Sequence, residues 1–214
     1  MEAKSGSLYE ADKIEQAKAI LQPYILRRLK INVLSYLPKK IERVICCKMS
    51  EEQQRIYDDL IREYREMDAN CDKMTIGRLM ELRKIANHPL LYRRQYTDDR
   101  VIKIANVLCK AESEYEKKNP EHLAEDLAFR SDFAISQLCS KYRSTQQFSL
   151  DERIALESGK FKELDHLLPE IKEKGDKVLI FSQFTTMMDI LEVYLRLRGY
   201  EYCRLDGSTP VMER

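Results

Sequence analysis

The chain has 214 residues, 43% of them hydrophobic, which is enough to build a core, and no apolar run long enough to span a bilayer as a helix. Charged residues make up 34%, but 37 Lys plus Arg against 36 Asp plus Glu leave a formal charge of +1, so no global field draws the chain to nucleic acid or anionic lipid and any such binding must be local. Six glycines, six prolines and no tryptophan, beside abundant Glu, Lys, Leu and Arg, favour a helix-rich fold.

Met1 is followed by charged, small and polar residues rather than an apolar signal core, which points to the cytosol or nucleus. Residues 9–21 place Ile14, Ala17 and Leu21 on one helical face, and Pro23 ends that helix. "YILRRLKINVLSYL" keeps Ile25, Leu29 and Val33 in helical register while Arg27, Arg28 and Lys30 project elsewhere; Pro38 closes it. Arg27, Arg28, Lys30, Lys39, Lys40 and Arg43 could neutralise phosphates, or simply form the solvated face of an amphipathic helix. "IERVICCKM" alternates in part and is rich in β-branched residues, so 41–49 is read as a first strand. Its Cys46 and Cys47 would point to opposite faces, and none of the six cysteines has CxxC spacing, so all are read as reduced thiols.

Ser50 with Gln53 three residues on is a capping box, followed by Ile56, Leu60, Ile61, Tyr64 and Met67 at helical spacing. "TIGRLMELRKIANHP" carries Ile76, Leu79, Met80 and Arg83 on a further helix that must stop near Asn87, because Pro89 restricts His88. Helices are expected at 97–118, 120–129, 131–142 and 149–157, capped by Asn119, Ser131 and the Ser149 and Glu152 pair. After Ser158 the pattern changes. Phe161, Leu164, Leu168 and Ile171 line an amphipathic helix ending at Gly175, with Pro169 expected to kink it. "KVLIFSQ" then reads as a parallel strand covered on both faces, 187–198 as a crossover helix closed by Gly199, and "YEYCRL" as the next strand. Thr209 and Pro210 begin a last helix.

A strand-helix-strand unit is right-handed and takes ligands at the carboxyl ends of its strands, which here are "SQF" and "DGST". Ser182 and Gln183 offer a hydroxyl and an amide that can bond a phosphate oxygen but cannot serve as acid, base or nucleophile. Gly207, Ser208 and Thr209 offer backbone N–H groups at a helix start. From the residues alone, the plainer reading is that Ser182 merely ends a strand, Thr209 merely caps a helix and Asp206 holds a turn rather than pairing with a base. Catalytic constellations are missing: no GxxxxGK[ST], no GxGxxG, and no metal-ligand spacing among His88, His122 and His166, with "NHP" fitted to terminating a helix.

"LQPYILRRLKINVLSYLPKKIERVICCKMSEEQQRIY", "LMELRKIANHPLL", "SGKFKELDHLLPEIKEKGDKVLIFSQFTTMMDILEVYL" and "YEYCRLDGST" together resemble the successive blocks of the Swi/Snf-type chromatin-remodelling ATPases of helicase superfamily two. "FRSDFAISQLCSKY" and "FSLDERIALESGKF" are similar to its SMARCAD (Etl) branch. The resemblance implies an α/β, predominantly helical fold: 1–49 an inter-lobe connector with the last strand of a first lobe, 50–157 a helical protrusion with branch-specific helices, and 158–214 the leading half of a second RecA-like (P-loop NTPase-like) lobe. It implies a nuclear, DNA-stimulated ATPase that translocates on duplex DNA to move or exchange nucleosomes, fuelled by ATP and Mg²⁺. In that family the positions of Ser182, Gln183, Gly207, Ser208 and Thr209 grip the tracking strand, and Arg27, Arg28 and Lys30 are candidate DNA or inter-lobe contacts. The phosphate-binding Lys, the DExH carboxylates and the arginine fingers are not in this sequence, so the chain alone is expected to bind no nucleotide or metal and to hydrolyse no ATP. It is read as the middle of a motor that needs the first lobe and the rest of the second. The rival reading is a non-catalytic helical adaptor derived from such a motor.

Overall fold

The computed structural model describes residues 13–26, 28, 29, 40–67, 76–210 and 212. It divides into two units, Met1–Ile45 and Cys46–Arg214.

In the first unit, residues 13–21 form helix α1, closed by bonds from the Gln22 N–H to the Lys18 carbonyl (2.8 Å) and from the Ile25 N–H to the Leu21 carbonyl (3.0 Å). The expected second helix does not form where it can be seen: Ile25, Leu26, Arg28 and Leu29 are not helical, while Arg27, Lys30 and the rest of that stretch to 39 lie outside the described residues. Ile25, Leu26 and Leu29 are all exposed. An amphipathic stretch with no surface to bury its apolar side has only intrinsic propensity to hold it, which is marginal for a few turns.

The second unit is built from seven longer helices among the described residues: α2 (Glu51–Met67), α3 (Ile76–Asn87), α4 (Asp98–Ala111), α5 (Pro120–Ala128), α6 (Asp132–Lys141), α7 (Gly159–Glu173) and α8 (Thr185–Leu197). The capping box holds: the Gln53 N–H donates to Ser50 Oγ at 3.2 Å and the Ser50 N–H to Gln53 Oε1 at 3.4 Å. Asn119 and Ser131 cap α5 and α6 through the N–H groups of Glu121 and Ala134. The expected helix at 149–157 is instead a 3₁₀ segment, Glu152–Leu156. Its cap is Asp151, whose carboxylate accepts from the Arg153 N–H at 2.8 Å, while Ser149 Oγ donates back to the Gln146 carbonyl. α7 runs through Pro169 and stops at Gly175, and α8 stops at Gly199; both glycines sit at positive φ, 74° and 70°. In each case the residue after the glycine reaches back five positions, Asp176 to Ile171 and Tyr200 to Leu195, the paired closure that only a left-handed residue permits.

Three buried clusters hold this unit. Ile56, Leu60, Tyr64, Leu82 and Ile85 join α2 to α3. Tyr96, Val101, Ile104, Leu108, Leu127 and Ile135 join α4, α5 and α6. Leu91, Phe133, Phe161, Leu168, Ile190 and Tyr194 join α6, α7 and α8, with the Phe161 and Tyr194 rings 4.5 Å apart.

The three expected strands, at 41–49, 177–183 and 200–205, are absent; no strand forms among the described residues. Val44, Leu179 and Phe181 are 93%, 84% and 88% exposed. A strand takes its hydrogen bonds from a neighbouring strand, and a parallel one also needs cover on both faces. No described segment pairs with these three, so their apolar patterning has nothing to act upon.

One joint fixes where α3 and α7 meet. Pro89 has no N–H to give the Ile85 carbonyl four residues back, and Gln53 Nε2 supplies that donor at 2.6 Å. Gln53 Oε1 also accepts from the Gly159 N–H at 3.2 Å, at the first turn of α7 where helix N–H groups lack partners. Ser158 Oγ donates to the Asn87 carbonyl at 3.0 Å. His88, fully buried, accepts from the Leu90 N–H on Nδ1 at 3.1 Å and reaches the Ala155 carbonyl with Nε2 at 3.0 Å, which assigns the proton to Nε2. "NHP" does terminate a helix, and it also staples that end to the segment entering α7.

Candidate nucleic-acid interface

Two loops flank α8. Ser182–Phe184 leads into its N-terminus, and the 206–209 turn is tied to its second turn by Arg204, whose guanidinium reaches Asp189 at 2.6 Å, Glu192 at 2.9 Å and Asp206 at 2.7 Å. Arg204 thus brings the second loop to the helix that the first loop begins, though no strand carries either of them.

Within the first loop, Ser182 is half-buried and its Oγ accepts from the Phe184 N–H at 3.2 Å, closing its own turn. Gln183 is exposed; its Oε1 accepts from Arg83 Nη2 on α3, and its amide nitrogen has no hydrogen-bond partner among the described residues. A neutral N–H₂ beside a guanidinium can give hydrogen bonds to an anionic oxygen at a site of positive potential.

The second loop is organised around Asp206. Its Oδ1 accepts from the Ser208 N–H at 2.8 Å and from Ser208 Oγ at 2.6 Å, while the Asp206 N–H donates to Thr209 Oγ1 at 3.1 Å. These bonds from Ser208, followed by those from Arg204, hold the Asp206 carboxyl down at about 2. Asp206 therefore remains ionised near neutral pH and is no general acid or base. Thr209 serves the turn rather than capping a described helix; Pro210 is not helical, and most of the expected last element lies outside the described residues. Gly207 is exposed with open space where a Cβ would stand. Three carboxylates around one guanidinium make this loop locally negative, whereas the Gln183 loop adjoins a cation. The two loops flank one helix and differ in charge.

Arg28 is exposed, and Arg27 and Lys30 lie outside the described residues. His122 and His166 are exposed, and no group of three or more His, Cys, Asp or Glu side chains among the described residues could hold a metal. Sequence reading placed Arg83 on a helix without a role and passed over Arg204. Their partners lie 100 residues away and on a neighbouring element, and no local spacing announces either contact.

Two family models match the chain: the SNF2-related domain over residues 7–91 and the helicase conserved C-terminal domain over residues 159–214. Along its whole length the chain is 53% identical to a Caenorhabditis elegans protein named SWI/SNF-related matrix-associated actin-dependent regulator of chromatin subfamily A containing DEAD/H box 1 homolog. It is 42% identical to the human protein of the corresponding name over 99% of the chain. It spans 21% of the length of each of these relatives. Among solved structures, the C-terminal part of the Fun30 ATPase domain superposes with a TM-score of 0.74 at 32% identity, over 83% of this chain and 62% of that one. The chain thus carries a segment matched by the SNF2-related domain followed by one matched by the helicase conserved C-terminal domain, and along its length it is similar to SWI/SNF-related regulators named for a DEAD/H box.

Proposed function

We propose that the chain is part of the motor of an ATP-dependent chromatin remodeller, a nuclear DNA-stimulated ATPase that translocates on duplex DNA to move or exchange nucleosomes. In this reading residues 1–49 connect two lobes, 50–157 form a helical protrusion, and 158–214 begin the second RecA-like lobe. The chain contacts one strand's phosphates through Ser182, Gln183, Gly207, Ser208 and Thr209, with Arg27, Arg28 and Lys30 as further basic contacts. It leaves ATP and Mg²⁺ to the first lobe and the rest of the second. The observation that supports this best is the exposed Gln183 amide beside the Arg83 guanidinium, inside the segment matched by the helicase C-terminal domain.

The test is duplex binding by fluorescence anisotropy across a salt series. Changing Ser182, Gln183 and Thr209 together to Ala is expected to weaken binding at every salt concentration and to leave the dependence of log K on log salt nearly unchanged, because the three side chains are neutral and release no counterions. Unaltered affinity across the series would refute the contact assignment. In the same preparation, robust Mg²⁺-dependent phosphate release with saturating DNA would refute the assignment of hydrolysis to other segments.

A further inference from the structure

Arg83 and Lys160 are exposed cations on two different helices, α3 and α7. Arg83 donates to Gln183 Oε1 in the first loop. Asn87, one turn further along α3, gives its Nδ2 to the Arg83 carbonyl at 2.8 Å and takes the Lys160 ammonium on Oδ1 at 2.6 Å. Arg83, Asn87 and Lys160 are thus linked into a polar seam from Gln183 to the start of α7, the step from Arg83 to Asn87 passing through the Arg83 carbonyl.

Neither cation has a carboxylate within ion-pairing distance among the described residues, unlike Arg93, Arg94, Arg196, Arg198 and Arg204. The backbone beneath the seam is fixed: Ser158, fully buried, bonds the Asn87 carbonyl, and His88 holds the Ala155 carbonyl. Two uncompensated positive charges on a rigid base, joined to neutral amides that can both give and accept, suit a row of anionic oxygens. A single carboxylate would be matched by one of them alone.

We propose that Arg83 and Lys160 extend the phosphate-contacting surface beyond the loops flanking α8, along the junction of α3 and α7, so that one DNA strand lays two further phosphates there. Arg83 then exchanges its neutral partner, Gln183, for a charged one, and releases the Gln183 carbonyl as its amide turns to the same strand. This rests on the reading that Ser182 and Gln183 lie on the strand's path, and the experiment separates the two.

The intact chain is titrated with fluorescent duplex between about 50 and about 200 mM salt. Its R83Q/K160Q variant is expected to lose about 1.8 from the magnitude of the salt slope, because each neutralised phosphate contributes about 0.9. Over that salt range the wild type should consequently fall about tenfold further than the variant. R83K/K160R should keep the slope, and melting temperatures should match across the set because both side chains are exposed.

An unchanged slope in R83Q/K160Q, with binding weakened in the Ser182, Gln183 and Thr209 variant, overturns this inference and leaves the loop assignment standing. A flattened slope in R83Q/K160Q with the loop variant unaffected supports the seam and removes the loops. If polyglutamate competes as well as duplex, and R83Q/K160Q abolishes that competition alone, the cations serve an acidic protein segment and the inference falls. Absence of measurable duplex binding overturns both.

Discussion

Removing the Gln53 side chain tests the joint most directly. Gln53 is 1% exposed and answers two groups that the helix ends leave stranded, the Ile85 carbonyl at 2.6 Å and the Gly159 N–H at 3.2 Å. In Gln53→Ala both lose their partner in a buried setting, at about 1–3 kcal/mol each, so a loss of about 3 kcal/mol is expected. With an m-value of about 2 kcal/mol per M, the urea midpoint followed by helical circular dichroism falls by roughly 1.5 M. Gln53→Glu keeps the volume and the acceptor for Gly159 but has no N–H for Ile85 and buries a charge, so it should lose at least as much. Gln54→Ala is the control, since the Gln54 side chain is exposed and donates to Asp58 on the helix surface; it should stay within about 0.5 kcal/mol. Hydrogen exchange at the Gly159 amide should accelerate in Gln53→Ala. A loss under about 1 kcal/mol, or one matched by Gln54→Ala, refutes the account of the joint.

At Gly159 there is no room for a methyl group: a Cβ would overlap the Lys48 carbonyl oxygen and stand 2.8 Å from its carbon and 3.0 Å from Met49 Cα. Gly159→Ala should destabilise by about 1–3 kcal/mol or more, read by the same urea titration, whereas Gly77→Ala, which meets nothing within 4 Å, should not destabilise. Burial lowers the His88 pKa from 6.5 to about 4, against a smaller opposing effect of its bond to the Ala155 carbonyl. The unfolded chain therefore binds the extra proton between those values, and stability falls by about 3 kcal/mol as pH drops from about 6.5 to about 4. A His88→Gln variant should lose this dependence in urea midpoints measured across that window, and a wild type showing no such slope would contradict the buried neutral imidazole.

Much of the helical part is legible in residue order because its signals are local. The Ser50 and Gln53 box, the Asn119 and Ser131 caps and the two glycines after α7 and α8 each satisfy groups within a few residues of themselves, so the chemistry that ends a helix is written beside it. Ser149 fails as a cap for the same reason in reverse: Asp151 competes two residues later and wins the local bond. Gln53 was visible as a cap and invisible as a hinge pin, since its second and third bonds go 32 and 106 residues along the chain.

The candidate loops were found from the pattern of an apolar run ending in "SQF" and a turn at "DGST". Their unlike charge was not, because Arg83, Asp189 and Glu192 reach them only across packed helices. Apolar alternation specifies which face of a segment should be covered, and at 41–49, 177–183 and 200–205 it did so without a partner to pair with. What the sequence by itself determined is therefore where helices start and stop and which residues seek burial. Tertiary structure alone decided that the strand-patterned segments find no partner among the described residues, which polar groups are spent on the fold and which described cations have no carboxylate beside them, because hydrogen bonds and charge compensation between distant segments exist only once packing has brought them within reach.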